Sequence, residues 1–64
     1  MSPSIRIGNE VIEASVGKTI EESVRDAGRL PDAYLFVVDG RPVPMDTPIT
    51  DGMTVKAIKV ASGG

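Results

Sequence analysis

The chain has 64 residues, no cysteine, no histidine, and seven Lys and Arg against nine Asp and Glu, for a formal charge of −2. One domain fits this length, and a domain so small buries only about 60% of the surface its unfolded chain exposes. The missing residue types exclude a disulfide, a thiolate metal site, a thiol nucleophile and an imidazole base.

From the N-terminus, "SIRIG" alternates Ile5 and Ile7 inward with Ser4 and Arg6 outward, the period of a half-buried strand. Gly8-Asn9 supplies a turn, and "VIEASV" alternates Ile12, Ala14 and Val16 against Val11, Glu13 and Ser15, which predicts a β-hairpin. In "GKTIEESVRDAG" the period changes, with Ile20, Val24 and Ala27 on one helical face. Thr19 and Glu22 have the spacing of a capping box, Glu21 and Glu22 suit the positive end of the helix dipole, and Gly28 is a suitable stop. Those roles explain Glu21, Glu22 and Asp26 without a metal, and no metal site is expected.

The run "AYLFVVDG" predicts an inner strand ending in an Asp39-Gly40 turn. With Pro42, Pro44 and Pro48, "RPVPMDTPIT" has room for only a short edge strand around Val43, followed by irregular chain. Asp51-Gly52 then turns the chain into a last strand, "MTVKAIKV". The expected organisation is one domain over residues 1–60 and a flexible tail over residues 61–64 ending in Gly-Gly. If Val55 and Ala57 face the core, Lys56, Ile58 and Val60 lie on the opposite face. Val37 joins them when Phe36 and Val38 face in, and Val37, Lys56, Ile58 and Val60 form a candidate partner-docking surface.

Net negative charge, no basic run and only Tyr34 and Phe36 as aromatics disfavour direct nucleic-acid binding, and the acidic balance favours basic partner surfaces. The longest apolar run, Tyr34 to Val38, is far below the roughly 18 residues of a membrane span. "MSPSIRIG" lacks a signal-peptide pattern, so a cytoplasmic protein with no membrane partner is expected. Neither G-x-x-x-x-G-K-[ST] nor G-x-G-x-x-G occurs, so the chain has no phosphate cradle of its own.

From "ASVGKTIEESV" onward the sequence resembles the ubiquitin-like proteins of the β-grasp fold. In "VDGRPVP", "TDGMTVKAIKV" and "ASGG" it is similar to the small archaeal modifier proteins and the thiamine-pathway sulfur carriers, of the superfamily that includes the molybdopterin-synthase small subunit. The resemblance implies an α+β fold, a mixed sheet of four to five strands packed on one helix, with the first and last strands parallel at its centre. It also implies a monomeric, non-enzymatic carrier whose Gly64 carboxylate, reached through Gly63, is adenylated by a ubiquitin-activating-type enzyme. That partner would use the ATP and Mg; this chain would bind no cofactor. The product would be a thiocarboxylate, handed to an acceptor enzyme for tRNA thiolation, the thiamine thiazole or molybdopterin, or an isopeptide bond to target-protein lysines. Lys18, Lys56 and Lys59 are candidate conjugate acceptors but read more simply as solubilising, and Arg41 as a turn residue. The alternatives are a β-grasp interaction module with an inert tail and, less favoured by charge, a DNA-binding dimer of swapped hairpins. An enzyme acting alone is the least supported, for want of a general base or nucleophile.

Overall fold

A computed structural model of the chain describes residues 2–60. Two strands, β1 (Ser4–Ile7) and β2 (Glu10–Glu13), form the expected hairpin, with Ile5 opposite Ile12. Helix α1 (Ile20–Asp26) follows, then β3 (Tyr34–Val38), β4 (Arg41–Val43) and β5 (Thr54–Lys59). The strands form one five-stranded mixed sheet in the order β2-β1-β5-β3-β4. β5 lies at its centre, parallel to β1 and antiparallel to β3. The fold is α+β, with one α-helix on one side of the sheet.

Alternation along the strands selects the core. Ile5 and Ile7 of β1, Phe36 of β3, and Val55 and Ala57 of β5 are buried, and the helix adds Ile20 and Val24. Ile49 completes this cluster from the irregular chain after β4. Ile12, Ala14, Tyr34, Val38 and Val43 pack around it, with Met45 and Met53. β4 is the short edge strand expected, and its Pro42 removes an amide from that edge.

The helix begins as its sequence dictates. Glu22 N–H donates to Thr19 Oγ at 3.2 Å and Thr19 N–H donates to Glu22 Oε1 at 3.0 Å, closing the capping box. The two preceding amides are captured by the irregular chain: Ile20 N–H donates to the Thr47 carbonyl at 3.1 Å and Glu21 N–H to the Met45 carbonyl at 2.8 Å. At the other end Gly28 N–H donates to the Arg25 carbonyl and Arg29 N–H to the Val24 carbonyl, a Schellman closure with Gly28 at φ 81°.

Two inward assignments are corrected. Ala27 is exposed because the helix ends at Asp26, so its side chain leaves the helical face one residue early. Val16 is 59% exposed because β2 ends at Glu13 and the chain then turns. A single 3₁₀ turn at Pro31–Ala33, not anticipated from the sequence, carries the chain into β3.

Asp39 has φ 52° and Gly40 φ 79°, the two left-handed residues of the tight turn joining β3 to β4. An added Cβ at Gly40 would meet nothing within 4 Å, so its substitution costs backbone strain alone. Ser23 is buried and its hydroxyl has no hydrogen-bond partner among the described residues. Ser23→Ala removes an unsatisfied group and improves helix propensity, so it is expected to raise unfolding free energy by about 1 kcal/mol. Thr19→Ala is expected to lower it by about 1 kcal/mol, a fall in Tm of about 4–8 °C. Thermal denaturation followed by circular dichroism reads both signs.

Candidate functional site

The helix covers one face of the sheet, and alternation sends the remaining side chains to the other. Register places Arg6 beside both Val11 and Lys56, and Val37 beside both Lys56 and Pro42, making one row across all five strands. Leu35 lies opposite Ile58 in the adjoining row. Directly opposed side chains have Cβ atoms about 4.5–5.5 Å apart, so these rows form a continuous surface.

Of the four residues expected there, Lys56, Ile58 and Val60 are exposed, the last two by 43% and 40%. Val37 points the same way but is half-buried. Leu35, 45% exposed, belongs to the same surface and was missed; the alternation that assigned Val37 outward also assigns Leu35. The chain is anchored to its last described residue, since Val60 N–H donates to the Ala33 carbonyl at 3.0 Å. Gly63 and Gly64 lie outside the described residues.

Charge is divided unevenly over the surface. Lys18 Nζ lies 2.6 Å from Asp26 Oδ2, and Arg25 lies 3.9 Å from Glu21 one helical turn away. Arg29 pairs with Glu10 of β2. The hydrogen bond to Asp26 raises the Lys18 pKa above the usual lysine range, and that to Glu10, helped by the Tyr34 hydroxyl, does the same for Arg29. Arg6, Lys56 and Lys59 have no ion-pair partner among the described residues. The outer face therefore carries exposed apolar side chains beside two unpaired cations, Arg6 and Lys56, while the register puts one acid of β2, Glu13, on the same face and Lys59 in phase with the core residues of β5.

The three helix acids have structural uses: Glu22 closes the capping box, Glu21 pairs with Arg25 and Asp26 with Lys18. Among the described residues no group of three or more Asp or Glu is placed to hold a metal ion, and no helix is long and apolar enough to cross a membrane. Arg41 is exposed at the start of β4, outside the turn.

If the outer face is an interaction surface rather than a structural one, its side chains contribute little to stability. Leu35→Thr combined with Ile58→Thr removes one apolar pair that lies outside the core and is expected to cost less than about 1 kcal/mol in urea unfolding. Ile5→Ala, by contrast, is expected to cost about 2–5 kcal/mol. Comparable costs for the two variants would mean that the face is part of the packing.

Comparison with known proteins finds no family model and no curated protein that matches this chain.

Proposed function

We propose that the chain is a ubiquitin-like modifier or sulfur carrier of the β-grasp class, activated at the carboxylate of Gly64. The observation that supports this reading is the placement of β5. The last strand runs through the middle of the sheet, parallel to β1, and its direction leads into the sequence "ASGG". A five-stranded mixed sheet on one helix is compatible with the β-grasp arrangement that the sequence resembles.

The proposed chemistry is that of a Gly64 carboxylate. A carboxylate resists nucleophilic attack because oxide is a poor leaving group. In the proposed sequence a Gly64 carboxylate oxygen attacks the α-phosphorus of ATP and releases pyrophosphate, giving an acyl adenylate. Sulfide, or a thiol of the activating partner, then adds to the carbonyl and expels AMP. Sulfide gives the thiocarboxylate directly; a partner thioester passes the acyl group to a lysine amine, releasing the thiol. With no cysteine in the chain, sulfur is carried on the Gly64 carbonyl itself. Gly63 and Gly64 suit this role because the absence of Cβ lets an extended tail approach the nucleotide through a narrow channel. ATP, Mg and the thiol belong to the adenylating partner. The destinations considered are tRNA thiolation, the thiamine thiazole, molybdopterin and protein lysines.

A second reading takes the apolar outer face, with Leu35, Ile58 and Val60 exposed, as the whole of the function and the tail as inert. Intact-mass measurement separates the two. The chain ending at Gly64 is incubated with a cognate ubiquitin-activating-type enzyme, Mg-ATP and sulfide, beside a chain lacking residues 63–64. Exchange of one oxygen for sulfur on the full chain alone is expected. No modification of either chain by an enzyme with proven activity would leave the interaction module as the reading.

A further inference from the structure

We infer that the end of β5 is a pairing slot for an extended, acidic peptide segment of a partner protein. The inference stands on main-chain geometry and charge, and holds whether or not Gly64 is activated.

The hydrogen-bond phase of β5 is fixed by the bond from Val60 N–H to the Ala33 carbonyl. In an antiparallel pair alternate residues exchange main-chain bonds, so Ile58 and Lys56 also direct theirs at β3. Val55, Ala57 and Lys59 direct theirs at the opposite neighbour. For Val55 and Ala57 that neighbour is β1, but the β1 pairing ends at Ile7 opposite Ala57. There Gly8, at φ 58°, turns the chain away into β2. The Lys59 N–H and carbonyl therefore face a place that β1 has vacated, and no described residue bonds to either.

A cavity of about 460 Å³ occupies that place. Arg6, Arg29, Lys56 and Lys59 line it together with Gly8 and Tyr34, and none of the described residues that line it is acidic. Arg29 is offset by Glu10, whereas the other three cations have no ion-pair partner among the described residues. An unpaired donor and acceptor from one residue, side by side on a strand, match the main chain of an extended peptide. A simple anion would use the donor and the cations but leave the acceptor unanswered. Three unneutralised positive charges select acidic side chains on the peptide. The sheet's outer edges are poorer candidates for such a segment, since β4 carries Pro42 and β2 carries Glu10 and Glu13.

The test uses the full chain, ¹⁵N-labelled, titrated with the capped peptide acetyl-Glu-Val-Glu-Val-Glu-amide. Saturable shifts at Lys59, Gly8 and Arg6 are expected, with slowed hydrogen exchange at the Lys59 amide and weakening by added salt. The double substitution Lys56→Glu and Lys59→Glu is expected to weaken binding about fivefold or more. Its Tm should stay near that of the parent, because both side chains are exposed. N-methylation of the central peptide residue should weaken binding without changing charge. The inference is overturned by an absence of shifts at millimolar peptide, or by an equal response to acetyl-Lys-Val-Lys-Val-Lys-amide. It is also overturned if inorganic phosphate reproduces the whole shift pattern, which would indicate an anion site. Concentration-dependent self-association that shifts the same amides without peptide would give the slot to a second copy instead.

Discussion

A seven-residue helix cannot sustain itself in water, because nucleation fixes several residues for each hydrogen bond gained. Yet α1 supplies Ile20 and Val24, both completely buried, and without them the inner face of the sheet would lie open. The fold resolves this by capturing the helix start. Thr19 takes the Glu22 amide, while the carbonyls of Thr47 and Met45 take those of Ile20 and Glu21. The chain between β4 and β5 is thereby fastened to the helix, and Ile49 N–H donates back to the Lys18 carbonyl at 2.8 Å. That bond seats Ile49 in the core. Pro44 and Pro48 restrict the same segment and lower the entropy lost in ordering it.

A single short helix covers one face only, and the other face is left to solvent. The two faces differ in charge as well as in polarity. Lys18 and Arg25 are paired with acids of α1, and Arg29, just beyond the helix, reaches back to Glu10 of β2. Across the sheet, Arg6 and Lys56 lie side by side and neither forms an ion pair among the described residues, although Glu13 shares their face. A net charge is a sum over the whole surface and does not report this separation. Encounter with any partner at this face would be governed by its local field, to which Arg6 and Lys56 contribute positive charge.

Much of the architecture was legible because its signals are local. Period-two alternation identified β1 and β5, the Thr19 to Glu22 spacing marked the helix start, and the prolines after Gly40 reduced β4 to an edge. Val16 and Ala27 failed because a periodic pattern does not say where its element stops. Ile49 was not identified as core because its burial comes from two hydrogen bonds to a segment thirty residues away, between Gly17, Lys18 and the later chain. The outer-face residues Lys56, Ile58 and Val60 followed from β5 alone. The slot beside Lys59 did not, since it exists only because β1 leaves the parallel ladder at Ile7 while β5 continues. Such a feature depends on the register between strands at opposite ends of the chain.

That early departure of β1 has a mechanical consequence for the chain's last residues. Through Ala57, β5 is held on both sides; from Ile58 onward it is held by β3 alone, with Val60 bonded to Ala33 as the last described tie. An extended segment seated beside Lys59 would restore the missing neighbour and fix the direction in which the chain leaves the sheet. Threading a tail toward a reactive centre demands control of that direction, since small angular changes at the sheet become large displacements several residues on. The two proposals are thus physically compatible. One concerns what happens to Gly64, and the other concerns how a partner could hold the strand that delivers it.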